Sequence, residues 1–295
     1  MKFVLEIEEP SQELLNWAKD NIGENSDTKS QIISDLRDMI YSRGECTPPR
    51  TDDSFLLRFL RSRKFHLEAA YKLFVSYNDF REENRNLYEG VGLDPLIEMT
   101  LQDIMHIPPY KDQTGKRMII YKFGNWDPDI STVEEMLQAT LFVLELGGFE
   151  PSIQMKGVIC VMDLQNISMR QALYLTPNVA QKIVEFGVTS HPTRVDVVHV
   201  INHSWALEML LTIFKPFLHG KIKKKIYFHR SNESLHEHIN PKYLPETYGG
   251  TQPNLDNNHW FDDLSKYETV RKELRSLGYD PEIKKKIANR NRLEK

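Results

Sequence analysis

Apolar residues recur through the first 90 positions at spacings of three and four, the pattern of helices that bury one stripe and leave the rest in water. Pro10-Ser11 precedes LLNWAKD, residues 29–41 carry Ile32, Ile33, Leu36 and Ile40 on one side, and Thr51-Asp52 can cap a helix holding Phe55, Leu56, Phe59 and Leu60. Leu67, Ala70, Tyr71, Phe74 and Asn78 extend the pattern into a further helix. An all-helical unit is predicted, with Arg58, Arg61, Arg63 and Lys64 as solvated charges on its surface.

After Gly90 the period changes. MIIYKF (118–123) predicts a strand behind the turn Asp112-Gln113-Thr114-Gly115, and residues 131–146 predict a helix with Met136, Leu137, Thr140, Leu141 and Leu144 on one side. GVICVM (157–162) is nearly continuous apolar sequence, as in a strand buried on both faces. Thr176 followed by Pro177 is a cap and first-turn proline for the helix NVAQKIVEFGV, and VDVVHVI (195–201) and IYF (226–228) predict two more strands. Strands alternating with helices imply right-handed crossovers and a mostly parallel sheet. The expected fold class is α/β, with helices on the faces of the sheet and a helical bundle before it. Residues 1–90 form the helical domain (core 30–90), 91–253 the α/β domain, and 254–295 a polar tail ending in Lys284, Lys285, Lys286, Arg290, Arg292 and Lys295.

Between the last two strands lies an unusually apolar helix. Leu207, Leu210, Leu211, Phe214, Phe217 and Leu218 recur at helical spacing, and Trp205, Met209 and Ile213 widen the apolar surface. Lys215-Pro216 should kink or end it, and in a following helical turn Lys221, Lys224 and Lys225 would share one face. Two readings are open. One is a core helix whose solvated cations suit its dipole. The other is a lid over an apolar cavity, hinged beside a patch that touches anionic membrane.

Composition narrows the function. With 295 residues, 40% hydrophobic, 27% charged and a net charge of −4, the chain has an ordinary globular composition, and attraction to polyanions can come only from local patches. Cys46 and Cys160 are the only cysteines, too few for a disulfide framework or a cysteine zinc site, which fits a reducing cytosol. MKFVLEIEEP is far short of a signal-peptide core, and no stretch approaches the ~20 apolar residues of a membrane span. There is no GxSxG or GxxxxGK motif, and Gly147-Gly148 and Gly249-Gly250 lack dinucleotide-binding spacing. The histidines of His236-Glu237-His238 fall on different helix faces, unlike HExxH. Asp163, ending a strand, is either a catalytic carboxylate or a cap or ion-pair partner. The basic residues lack the interleaved aromatics of a nucleic-acid surface. A cytoplasmic protein is expected, without enzymatic activity, metal, cofactor or nucleic-acid partner.

DDSFLLRFLRSRKF (52–65), NWDP (125–128), VMDLQNIS (161–168), TPNVAQKI (176–183) and the run from Lys215 through HRSNESLHEHI to LPETYGG resemble the CRAL-TRIO family, in the branch of alpha-tocopherol transfer protein, clavesin and cellular retinaldehyde-binding protein. The resemblance spans roughly residues 30 to 253 in order. It implies a helical N-terminal bundle and a lipid-binding α/β domain with a mobile gate at residues 202–225. It also implies a cavity wall of Ile104, Tyr121, Leu137, Thr140, Leu144, Val158, Met162, Ile183, Phe186 and Val198, closed by Leu210, Leu211, Phe214 and Phe217. The implied cargo is one hydrophobic small molecule: a tocopherol, retinoid, carotenoid or other lipid. The positions of a phosphoinositide-binding cleft fall on Arg63, Arg194, Lys221 and Lys225, implying exchange at phosphoinositide membranes, endosomal or plasma. Asp196 stands where the tocopherol-type motif carries another cation, and should weaken or redirect headgroup binding.

Overall fold

Four helices open the chain: α1 (Gln12–Ile22), α2 (Ser26–Arg43), α3 (Asp53–Ser62) and α4 (Leu67–Glu83). The first three begin where the sequence supplies an acceptor, the side chains of Ser11, Asn25 and Asp52 taking the N–H groups of Leu14, Asp27 and Phe55. Then come α5 (Asp94–Leu101), β1 (Met105–His106), β2 (Arg117–Lys122), α6 (Val133–Gly147), α7 (Pro151–Lys156), β3 (Val158–Asp163), α8 (Met169–Leu173), α9 (Pro177–Val184), β4 (Val195–Ile201), α10 (Ala206–Phe214), β5 (Ile226–Phe228), α11 (Asn232–His236) and α12 (Glu268–Ser276). The computed structural model describes residues 3–203, 206–218, 220, 222–255 and 266–281.

The strands lie in the order β1-β2-β3-β4-β5, with β1 antiparallel to β2 and the other pairs parallel. Strands laid down in sequence by right-handed crossovers deliver each connecting helix to the same face. That face carries Tyr121, Cys160, Met162 and Val198 into one apolar cluster with Leu137, Leu141 and Leu144 of α6 and Phe186 beyond α9. On the other face, Met118, Ile120, Ile159, Val161 and Ile201 pack against Leu235, Ile239, Leu244 and Tyr248. The helices expected on both faces are thus unequal: crossover helices on one, a short return segment on the other.

Gly157 is forced at the start of β3. Its φ is +79°, and an added Cβ would lie 2.6 Å from the Arg194 carbonyl oxygen, beside the register shift at Val158/Ile159. Gly157→Ala is expected to cost at least about 1 kcal/mol, measured as a lower urea midpoint at unchanged m-value.

Three expectations need correcting. Arg58 and Arg61 are buried, not solvated. The Arg61 guanidinium makes a two-pronged pair with Glu24 at 2.7 and 2.8 Å and donates to Gln154, and Arg58 meets Glu273 at 3.2 Å and the Phe149 ring at 4.4 Å. A buried cation is tolerable when its partners are buried with it, and those partners lie far away in sequence. The C-terminal region is not simply a polar tail: Val270 and Leu274 of α12, with Leu277 and Tyr279, enter the same cluster as Phe55, Phe59, Phe74 and Tyr77. The cations from Lys284 onward lie outside the described residues. The change of grammar near residue 90 therefore marks a change of secondary structure within one continuous core. Finally, Lys223–Lys225 form a 3₁₀ turn, not an α-helical one, and Lys221, the first member of the expected lysine face, lies outside the described residues.

Candidate functional site

The gate candidate is α10, and its two flanks differ. Met209, Leu210, Ile213 and Phe214 are half-buried, while Glu208, Leu211, Thr212 and Lys215 are exposed. The helix ends at Phe214, as the Lys215-Pro216 pair demands, and Phe217 and Leu218 follow half-buried. Trp205 and the Leu207 side chain lie outside the described residues.

Along the exposed flank runs an open cleft of about 580 Å³, bounded by Glu208, Leu211, Thr212, Lys215 and Leu218 on one side and Lys223, Ile226 and Phe228 on the other. Ile226 and Phe228 pair with Val198 and Val200, so they share the face that carries Tyr121 and Met162. Phe228 is 39% exposed and Leu211 40%, large apolar surfaces turned into this cleft. The His203 ring packs edge-on against Phe228 at 6.0 Å. The volume suits a small molecule, and the lining is chiefly aliphatic and aromatic with charges at its border.

The ten residues expected as wall belong to the large core cluster or pack on it, and none of them lines the open cleft. Ile104, Tyr121, Leu137, Leu144, Val158 and Phe186 are buried in one cluster, and Met162, Ile183 and Val198 pack half-buried against it. Thr140 joins through its hydroxyl, which accepts from the Tyr121 phenol at 3.0 Å and donates to the Met136 carbonyl at 2.9 Å. Burial holds that phenol neutral, well above its ordinary pKa. Leu144 and Val158 border a separate small cavity of about 30 Å³, beside Phe3 and Leu5 at the opposite end of the sheet. Of the four closing residues, Leu211 borders the open cleft; Leu210, Phe214 and Phe217 are half-buried and do not. Sequence reasoning placed Leu218 on the apolar lid helix but did not name Ile226 and Phe228 as lining, although period two along IYF puts both on one face.

Behind the cleft, on the reverse of β4 and β5, three imidazoles meet. His199 Nδ1 and His229 Nε2 are 2.8 Å apart, His229 Nδ1 is 3.0 Å from the Ser234 hydroxyl, and the His238 ring lies 5.3 Å from both other rings. Burial, then the charges of His229 and His238, push the His199 pKa down to about 3. His236 instead meets the Tyr248 carbonyl at 2.8 Å. Among the described residues no group of three His, Cys, Asp or Glu is placed to hold a metal ion. The buried Asp163 accepts from the Gln165 N–H, the Asn202 amide and the Tyr248 hydroxyl, which makes it a clamp on the loop ends.

The basic candidates form a cluster at the other end of β4. Arg63 ends α3, Arg194 precedes β4 and Lys225 precedes β5; Lys221 lies outside the described residues. Asp196 sits among them, 2.7 Å from Lys116, 3.5 Å from Lys225 and 3.8 Å from Arg194. Burial works against the Asp196 carboxylate, but the three cations outweigh it and its pKa falls below the ordinary range. Arg63 donates to Ser62 and to the Val188 carbonyl; burial and then the Arg194 charge lower its pKa.

The CRAL/TRIO domain profile matches residues 101–250 and the CRAL/TRIO N-terminal domain profile residues 11–76. Clavesin-2 of Mus musculus is 33% identical over 95% of this chain and 89% of its own length. Clavesin-1 of Pongo abelii is 36% identical over 85% of this chain and 72% of its own. The crystal structure of Sfh5, at 13% identity, superposes with a TM-score of 0.53 over 84% of this chain and 99% of that one, a likeness of fold. The chain therefore belongs to the CRAL/TRIO family of lipid-binding and lipid-transfer proteins, with clavesins among its relatives.

Proposed function

We propose that this chain is a cytoplasmic carrier that holds one hydrophobic small molecule between the sheet and α10 and exchanges it at phosphoinositide-containing membranes of endosomes or the cell surface. The observation that carries this reading is the cleft itself: an apolar trough of about 580 Å³ bounded by a short helix, with Lys215 and Lys223 at its border. An isoprenoid such as a tocopherol, retinoid or carotenoid gains ~25 cal/mol per Å² withdrawn from water there. Its polar end can meet Thr212 or Lys215 at the border of the trough. Anionic lipid attracts the bordering lysines, so membrane favours whichever position of α10 exposes them, and population shift does the rest. No helix among the described residues is long and apolar enough to cross a membrane, so in this reading contact with lipid is from the surface.

Organic extract of protein purified from its native tissue should contain one stoichiometric lipid by mass spectrometry. Phe228→Asp, which sets a charge in the trough, is expected to reduce retention at least tenfold, and Phe214→Asp to do the same through the packed side of α10. Normal retention in both variants would refute the placement of the ligand. Trace mixed lipid in the wild type, together with vesicle binding but no transfer between vesicle populations, would instead support a membrane-recruited adaptor of trafficking.

A further inference from the structure

The basic cluster contains its own anion. Arg63, Lys116, Arg194 and Lys225 bring four positive charges to one region, and the Asp196 carboxylate takes the direct contacts of three of them. The cluster is not thereby satisfied. Among the described residues, the Arg194 Nε is buried without a hydrogen-bond partner, at 3.8 Å from Asp196, and Arg63 meets only a neighbouring hydroxyl and one backbone carbonyl at 3.3 Å. Two guanidinium groups thus face each other's charge beside a carboxylate already shared with two lysines. Four cations against one acid leave about three positive charges uncompensated; one phosphate monoester, with close to two negative charges near neutral pH, offsets most of them, and two monoesters would exceed them. A second phosphate would have to come close to Asp196 and displace Lys116 or Lys225 from it. Repulsion between like charges a few ångströms apart at a half-buried site would oppose this.

We propose that Asp196 is a built-in counter-anion that occupies one phosphate position of the cluster, so that this chain selects membrane lipid headgroups carrying one phosphate monoester over headgroups carrying two. The proposal rests on the reading that this cluster meets anionic lipid. Lys116 is then a positioning residue, because its 2.7 Å contact holds the carboxylate in place. Lys225 links the selection to the cleft, since it immediately precedes β5, whose Ile226 and Phe228 line the trough.

The test is cosedimentation of the full chain with vesicles containing a monophosphorylated or a bisphosphorylated inositol lipid at equal total charge. Soluble inositol mono- and bisphosphate are titrated in parallel. Wild type is expected to bind monophosphate vesicles at least as tightly as bisphosphate vesicles. Asp196→Asn should shift that ratio about tenfold toward the bisphosphate, whereas Lys116→Gln, with the carboxylate less neutralised, should weaken binding to both. An unchanged ratio in Asp196→Asn, with the variant folded by circular dichroism, overturns the proposal. The double variant Arg63→Ala/Arg194→Ala separates the two levels. Lost vesicle binding there, with an unmoved ratio in Asp196→Asn, leaves the lipid-facing cluster standing and removes only the selection by Asp196. Undiminished vesicle binding in the double variant overturns both. Soluble headgroups discriminated as the vesicles are would support the selection and assign the site to phosphate as such.

Discussion

Glu145→Gln is expected to lower the unfolding free energy by about 4 kcal/mol, the largest loss from any single polar substitution in this chain. Glu145 lies in α6 at 1% exposure, with the Tyr77 hydroxyl donating to it at 2.5 Å, Arg81 at 3.6 Å, Arg58 at 3.9 Å and His191 at 3.3 Å. Burial alone would raise its pKa; His191, Arg81 and Arg58 reverse that and bring it to about 2. Neutralising the carboxylate strands Arg58 and Arg81, which are themselves buried or nearly so, without their shared counter-charge. Glu273→Gln removes the other partner of Arg58, but that carboxylate is 26% exposed, so its loss should cost clearly less. Urea titration of the three proteins tests the ranking, and equal midpoints for Glu145→Gln and wild type would contradict the network. The linkage has a definite sign. The folded pKa is depressed, so this stabilisation is complete above about pH 4.5 and is lost as the pH falls toward 2.

Acidification should act earlier through the histidines. His199 titrates at about 3 in the folded chain against an ordinary value of 6.5. A base whose folded pKa is depressed favours the folded state when neutral, so stability is lost as the pH drops below about 6.5. The loss reaches about 2 kcal/mol by pH 5 from this group alone and levels off near pH 3. The geometry explains the cost. His199 and His229 share one hydrogen bond that needs an unprotonated nitrogen, His238 and Tyr227 pack over them, Ser234 holds the outer nitrogen of His229, and His203 adds a further positive charge on protonation. Burial and the charges of His238 and His203 disfavour the charged form of His229, and outweigh Ser234 and Glu237, which favour it. Thermal unfolding from pH 7.5 to 5 should therefore fall more steeply in wild type than in His199→Phe. Parallel curves would show that His199 does not carry this pH dependence. Hydrogen exchange at β5 should rise over the same range, because its three residues are held by β4 on the strand that carries His199.

What could be read in advance was whatever local chemistry determines. Val195–Ile201 is a strand because branched residues run through it, Thr176 caps because its hydroxyl reaches the N–H group of Val179, and Pro216 follows the end of α10. What escaped depends on partners distant in sequence. Arg61 looks like a surface cation until Glu24 is folded beside it, and α12 reads as polar because few of its residues face inward. The turn from α9 into the π-helical Glu185–Thr189 has no signature of its own, since the same residues can make either ladder. The candidate wall came as a set from the family resemblance, since an apolar stripe or strand face does not by itself separate wall from ordinary core. The open trough was not legible, because it depends on how far α10 stands from β5, a distance set by packing on α9.

The contact between Arg58 and Glu273 also bears on how the protein is made. It joins the third helix to the last across 215 residues, and Arg50 shares the same carboxylate. At a ribosomal rate of about 5–20 residues per second, roughly 10–40 s separate the emergence of these partners. Throughout that interval the nascent N-terminal helices present the apolar surface that Val270, Leu274 and Tyr279 later cover, together with a cation that has yet to meet one of its counter-charges. The N-terminal helices thus leave the ribosome well ahead of the residues that complete their packing, which makes them a natural client surface for a chaperone during synthesis.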